Sequence, residues 1–125
     1  MKKYLRIQVR YTGKTGQPVG IFGACHHTVN NTYHNFNASQ EDKQLFEKTE
    51  EWFEKNLPNP PCYENGNPQK CITWFKTDTT NYMVEQLQPL MGILNKYNVP
   101  HDVIFSDFVG KIIYEDEFQV AVVPS

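Results

Sequence analysis

The most reactive side chains of this sequence are concentrated at Cys25-His26-His27, with His34 seven residues after His27. Sulfur and imidazole are ligands that zinc accepts, so these four residues are the candidate metal ligands. Their spacing argues against one shared ion, because three adjacent side chains do not converge without unusual backbone and no paired ligand motif accompanies them. A thiol nucleophile formed by Cys25 with His26 or His27 is the alternative chemistry. The plainest interpretation is a buried cysteine beside surface histidines.

Aromatic, cationic and hydrogen-bonding groups follow one another closely from Trp74 to Thr79. Trp74 and Lys76 belong to a predicted strand, and Asp78 or Thr79 caps the helix predicted after it. Aromatic surface, a cation and free backbone N–H groups at a helix start can together receive an anionic or planar ligand. The alternative is a core strand followed by an ordinary cap. This segment is therefore a candidate ligand site.

The segment Glu115-Asp116-Glu117 places three carboxylates between two predicted strands. Neighbouring carboxylates raise one another's pKa or hold a hard cation. The commoner role of such a segment is a solvated acidic turn that discourages edge pairing. We treat it as a second candidate surface.

Two further segments resemble incomplete parts of known motifs. Gly13-Lys14-Thr15-Gly16 follows a strand, as a phosphate-binding loop does, but Gln8 stands where that loop needs its first glycine. His101-Asp102 resembles half of a catalytic triad, and no serine or cysteine can be assigned to it. We interpret both segments as ordinary turn and surface residues.

The composition favours one domain over residues 1–125, because 39% hydrophobic and 14% aromatic residues suffice for one core. The net charge is −2 and the twelve Lys and Arg form no basic stripe, which argues against long nucleic acids as partners. No apolar run reaches the roughly 18 residues of a membrane span, and the N-terminal lysines precede no signal peptide, so we expect a cytoplasmic protein. Three cysteines, Cys25, Cys62 and Cys71, then predict reduced thiols.

Hydropathy patterns predict the elements that position these residues. Residues 4–11 alternate as a half-buried strand, Pro18 opens a short helix reaching Cys25, and Ser39 caps a helix that ends at Pro58. An extended proline-rich linker leads to a strand at 71–76 and then to a helix kinked at Pro89. Strands at 103–105, 111–114 and 118–123 follow, the last two as a hairpin. This order favours an α+β fold: a mixed or antiparallel sheet of about four to five strands with two to three helices on one face.

Two stretches of the sequence resemble small bacterial proteins of unassigned function. One runs from Gly66-Asn67-Pro68 to Trp74-Phe75-Lys76, and the other has the pattern GxIxYEDExQV from Gly110 to Val120. The resemblance spans about half of the chain. It implies no activity or cofactor, and it directs attention to five residues: Trp74, Lys76, Tyr114, Glu115 and Asp116.

These observations favour a non-enzymatic module that binds a small anionic ligand or a protein partner and forms a homo-oligomer. The candidate ligand-binding residues are Trp74, Lys76, Asp78, Thr79, Tyr114, Glu115 and Asp116. One alternative is a small metal-dependent hydrolase or thiol enzyme at Cys25, His26 and His27. Another is sequestration of a nucleotide or other anionic small-molecule signal.

Overall fold

The computed structural model describes residues 2–78 and 81–124 and shows an α+β fold. Its strands are β1 (Tyr4–Thr12), β2 (Pro18–Gly20), β3 (Ile72–Lys76), β4 (His101–Ser106), β5 (Lys111–Glu115) and β6 (Gln119–Val123). Its helices are α1 (Ile21–Val29), α2 (Gln40–Asn56), α3 (Asn81–Glu85) and α4 (Gln88–Lys96), with an irregular 3₁₀ segment at Pro61–Gly66. In the described part of the chain, no helix is long and apolar enough to cross a bilayer.

The described residues form one antiparallel sheet of six strands, where the sequence predicts four or five. Strand β4 pairs along one edge of β1, so β2 and β3 share the other edge. On that edge β3 pairs with Tyr4 and Leu5, whereas β2 pairs with β1 between Gln8 and Thr12. Beyond β3 the sheet continues through β6 to β5. This register leaves Arg6 and Ile7 in a gap between β3 and β2.

Helix α2 begins and ends as its sequence predicts. The Ser39 hydroxyl accepts a hydrogen bond from the Asp42 amide at 3.1 Å, which is an N-cap interaction. Leu57, the residue before Pro58, has extended backbone and ends the helix.

The start of α1 and the break before α4 differ from the prediction. Helix α1 begins at Ile21, because Pro18–Gly20 pairs with β1 as a strand instead of opening the helix. The predicted kink at Pro89 is a complete break, and Pro89 lies in the first turn of α4, where its missing N–H removes no hydrogen bond.

The main core lies between the helices and one face of the sheet. Leu5, Ile7 and Val9 are buried there with residues of α1, α2 and α4, as the alternation of β1 predicts. A smaller apolar cluster includes Trp74 and Val120 of the paired strands β3 and β6.

Cys62 and Cys71 form a disulfide, so the prediction of reduced thiols is wrong for this pair. Cys25 is buried and free. The bond joins the 3₁₀ segment, which lies in the stretch predicted as an extended linker, to Cys71, which was predicted to begin the strand and stands just before β3. Composition bears on the redox compartment, whereas disulfide formation also needs two thiols in suitable geometry, which composition does not encode.

Candidate functional site

A cavity of about 650 Å³, here called the Arg6 cavity, lies at the gap between β2 and β3. Arg6 and Ile7 line it together with Gly20 of β2 and Trp74 of β3. The first turn of α1, one face of α2 and part of the segment 58–63 complete its walls. Its volume is within the range of about 300–1,000 Å³ that is typical of small-molecule sites.

The guanidinium of Arg6 bridges the gap between β2 and β3. Its Nη1 donates to the Thr73 carbonyl at 2.8 Å, its Nη2 to the Pro18 carbonyl at 2.9 Å, and its Nε to Gln8 Oε1 at 2.9 Å. These bonds satisfy backbone carbonyls of β3 and β2 beside the gap. A guanidinium has five N–H donors, and those not used in this way remain for a ligand.

The charge of Arg6 is buried without a carboxylate partner. Arg6 is 7% exposed, and within residues 2–78 and 81–124 it forms no salt bridge. Burial is the larger influence and lowers the pKa of Arg6, with Tyr63 acting in the opposite direction, yet arginine stays protonated in proteins. A buried charge is costly unless it is paired. An anion in the cavity would supply the missing counter-charge.

The N-terminus of α1 adds a second positive contribution to the Arg6 cavity. The first N–H groups of a helix lack intrahelical acceptors, and the N-cap residue Gly20 has no side chain to accept from them. Gly20, Phe22 and Gly23 line the cavity. A Cβ at position 20 would lie 3.3 Å from Arg6 Nη2, so a glycine lets the helix start approach the guanidinium. Helix N-termini and guanidinium groups both favour anions.

Aromatic side chains form much of the remaining wall. Phe22 and Phe53 meet edge to face with their ring centroids 4.9 Å apart, and Tyr63 and Trp74 also line the cavity. The indole N–H of Trp74 is buried and has no acceptor among the described residues. Leaving a buried donor unpaired costs about 1–3 kcal/mol. This N–H is inaccessible to solvent, so what these residues present to the cavity is largely aromatic surface.

Residues 58–66, here called the strap, contribute Tyr63 to the wall and are fixed at three points. Gln119 Nε2 donates to the carbonyl of the first strap residue at 2.7 Å. The Tyr63 hydroxyl donates to Thr73 Oγ1 at 3.3 Å, and the Cys62–Cys71 disulfide forms the third attachment. The strap is therefore held against β3 and β6 on the side of the cavity.

Among the described residues predicted to bind a ligand, Trp74 alone lines the Arg6 cavity. Lys76 Nζ forms an ion pair with Glu115. Asp78 is exposed beyond the end of β3, and Thr79 lies outside the described residues. Of the described residues in this segment, Trp74 thus lines the Arg6 cavity, and Lys76 and Asp78 lie outside its lining.

The carboxylate of Asp116 holds the turn between β5 and β6. Its Oδ1 accepts hydrogen bonds from the amides of Phe118 and Gln119 at 2.8 and 3.0 Å. Its Oδ2 accepts from the Tyr114 hydroxyl at 2.8 Å. These contacts give Tyr114 and Asp116 a structural role within the hairpin.

Cys25 lies in the core, where its thiol is protected. It is fully buried, its Sγ donates to the Leu90 carbonyl at 3.2 Å, and burial raises the pKa of the thiol to about 12. The reactive form of cysteine is the thiolate, so this environment opposes nucleophilic chemistry. Within the described ranges no three His, Cys, Asp or Glu side chains are grouped as metal ligands. Cys25, His26, His27 and His34 are thus not gathered into a zinc site.

A second cavity, of about 630 Å³, is lined by residues of the turn at 13–16 and by histidines of the Cys25-His26-His27 region, which are separate in the sequence. Its lining includes Gly13, Lys14, His27, His34 and Tyr11. The Tyr11 hydroxyl and His27 Nδ1 are 3.0 Å apart. Burial and the neighbouring His26 lower the pKa of His27, so its ring is neutral at pH 7. The charged side chain in this lining is Lys14, which is exposed, whereas the charge of Arg6 is buried.

Sequence reasoning missed Arg6 because no local pattern separates it from Arg10. Both residues alternate with apolar neighbours along β1, a pattern that predicts solvent exposure for each. What distinguishes Arg6 is the gap between β2 and β3, which arises from long-range pairing.

Comparison with protein families, curated proteins and solved structures finds no match to this chain.

Proposed function

We propose that this protein is a non-enzymatic module that binds a small molecule bearing an anionic group in the Arg6 cavity. The observation that carries this proposal is the buried guanidinium of Arg6, which has no carboxylate partner among the described residues and retains free donors. The uncapped start of α1 faces the same cavity. Trp74 and Phe53 supply apolar surface for the rest of the ligand.

The proposal joins two predictions made from the sequence. The first is that Trp74 binds the ligand. The second is that the ligand is a small anionic molecule, which includes the case of an anionic signal that the protein sequesters. A thiol enzyme at Cys25 receives less support, because the buried thiol has a raised pKa and contacts the Leu90 carbonyl.

Tryptophan fluorescence can test this proposal directly. The chain has two tryptophans, so the variant Trp52→Phe leaves Trp74 as the reporter of the Arg6 cavity. Acetate, benzoate and inorganic phosphate are titrated separately, with benzamide as the uncharged counterpart of benzoate. We expect a saturable change with benzoate and about tenfold weaker binding of benzamide, because charge-assisted hydrogen bonds are the stronger ones.

The substitution Arg6→Lys in the Trp52→Phe background keeps the charge but removes the forked donors, and it should weaken benzoate binding by about tenfold. Arg10→Lys is the matched control, because Arg10 lies exposed on the same strand and pairs with Asp102. Circular dichroism verifies that both variants fold. The proposal is overturned if none of the three anions gives a saturable response, or if benzamide binds as tightly as benzoate.

A further inference from the structure

The wall that α2 contributes to the Arg6 cavity carries two carboxylates, Glu50 and Glu54. Phe53 and Leu57 line the cavity from the same helix. The spacing of these four residues is that of a single helical face. Glu50 and Glu54 are thus presented to the cavity together with apolar surface.

Neither carboxylate is neutralised by the protein. Within residues 2–78 and 81–124, Glu50 and Glu54 form no salt bridge. Like charges four residues apart on a helix repel each other. By contrast, Glu51 on the same helix pairs with Lys55 at 2.9 Å. Glu54 is exposed and Glu50 is half-buried, so the acidic pair lies on the solvent-accessible side of the cavity, where it offers negative charge to a ligand cation.

We infer that the ligand of the Arg6 cavity is a zwitterion with an apolar body, such as a free amino acid with a large apolar side chain. This inference rests on the proposed function and adds the second charge. One wall of the cavity carries the buried guanidinium of Arg6 and the uncapped start of α1, and the α2 wall carries the acidic pair. In a ligand with both an anionic and an ammonium group, the anion is attracted to Arg6 and the ammonium group to the acidic pair. A simple anion is attracted to Arg6 but repelled by the acidic pair.

The apolar part of the cavity wall suits the body of such a ligand. Trp74 is 9% exposed and lines the cavity. Phe22 and Phe53 provide an apolar surface of the kind that accommodates a large side chain. The volume of about 650 Å³ is sufficient for a molecule of this size.

Three related probes separate the two charges of the ligand. L-phenylalanine is zwitterionic, N-acetyl-L-phenylalanine keeps only the anion, and L-phenylalanine amide keeps only the cation. Each is titrated by Trp74 fluorescence in the Trp52→Phe background. We expect phenylalanine to bind about tenfold more tightly than either analogue.

The double substitution Glu50→Gln/Glu54→Gln should remove the preference for phenylalanine over its N-acetyl analogue. Glu47→Gln/Glu51→Gln is the matched control, because it removes two charges at the same spacing from α2 residues that do not line the cavity. Equal binding of phenylalanine and its N-acetyl analogue, unaffected by Glu50→Gln/Glu54→Gln, overturns the zwitterion inference and leaves the anion site standing. Preferential binding of the amide overturns the inference in favour of a cation site. Absence of binding by all three probes, and by benzoate, overturns the inference and the proposed function together.

Discussion

Residue 20 sets the distance between Arg6 and the start of α1. Gly20 has extended backbone with φ −74° and ψ 172°, which alanine also adopts. A Cβ there would meet Arg6 Nη2 at 3.3 Å and Nη1 at 3.5 Å. The identity of residue 20 therefore acts on the guanidinium through space and not through backbone strain.

We expect Gly20→Ala to weaken benzoate binding by about fivefold, because the guanidinium must shift while keeping its charge. The free energy of unfolding should fall by about 1 kcal/mol, the lower end of the cost of overpacking. Fluorescence titration and urea denaturation measure the two effects. Gly92→Ala is the control: an added Cβ there meets nothing within 4 Å, so it should stabilise α4 by about 0.5–1 kcal/mol and leave binding unchanged. Wild-type affinity in Gly20→Ala would contradict the expected role of this residue.

A local pattern identifies residue types but not their surroundings. Trp74 was predicted as a ligand-binding residue from its aromatic side chain; it lines the Arg6 cavity, and its role in binding stays a prediction. Asp116 and Lys76 were selected for the same kind of reason, but their charges are satisfied within the fold. Whether a charge is already paired depends on long-range contacts, which a local pattern does not encode.

The strap is the element with the clearest link between stability and binding. Its Cys62–Cys71 disulfide closes a short loop beside Tyr63, which lines the Arg6 cavity. We expect the double variant Cys62→Ser/Cys71→Ser to lose about 2–4 kcal/mol of stability. Its affinity for benzoate should fall several-fold, because a freed strap must be ordered on binding.

Fluorescence titration of the folded double variant measures the loss of affinity. Wild-type protein treated with dithiothreitol serves as a second preparation without the bond, and Cys25 remains protected in both because it is buried. If the double variant remains folded and binds benzoate as tightly as the wild type, the attachment of the strap does not contribute to benzoate binding.

Asp42 joins the start of α2 to the end of α4. Its Oδ2 accepts hydrogen bonds from the Ser39 hydroxyl at 2.9 Å, Lys96 Nζ at 2.7 Å and the Tyr97 hydroxyl at 2.5 Å. The hydrogen bond from Lys96 is the largest cause that lowers the pKa of Asp42, followed by that from Tyr97. A carboxylate with a lowered pKa stabilises the fold above its unfolded pKa of about 3.9, and this contribution is lost as the pH falls through the folded value.

We therefore expect Asp42→Asn to destabilise the protein by about 1–3 kcal/mol at pH 7. The difference from wild type should shrink as the pH falls below about 4. Urea denaturation at a series of pH values measures it. Asp102→Asn, which breaks the exposed pair with Arg10, should cost no more than about 1 kcal/mol. A difference for Asp42→Asn that stays constant down to pH 3 would contradict this account.

Elements with strong local signals were predicted well, and those defined by pairing were not. The capping residue Ser39 and the following helical period identified α2. Strand β2 has only three residues and exists because β1 offers it an edge. The helix predicted from Pro18 was displaced for this reason, and the gap that forms the Arg6 cavity depends on the same pairing.

At the scale of the whole molecule, the predicted homo-oligomer has a candidate interface along β4. Among the described strands, β4 pairs with β1 alone, so its other edge is open. Val103 and Phe105 are 44% and 55% exposed on this strand, and the nearby Phe108 is 91% exposed. An open edge with exposed apolar side chains is a template for pairing with another chain.

The cytoplasmic location predicted from the sequence stays a prediction, and the Cys62–Cys71 bond weighs against it. Disulfides persist in oxidising compartments and are rare in the cytosol. Counting free thiols in protein denatured without reductant distinguishes the disulfide-bonded from the reduced protein. We expect one free thiol, that of Cys25, if the bond is present, and three if it is absent.

We expect a dimer formed by two β4 edges, which a two-fold axis would relate through one self-complementary surface. Native mass spectrometry and light scattering measure the oligomeric state. The double variant Val103→Lys/Phe105→Lys should be monomeric, because lysines at an edge strand oppose pairing between sheets. Ile112→Lys is the control at the other end of the sheet, where Ile112 of β5 is 42% exposed. A monomeric wild-type protein, or dissociation by Ile112→Lys alone, would show that β4 is not the interface.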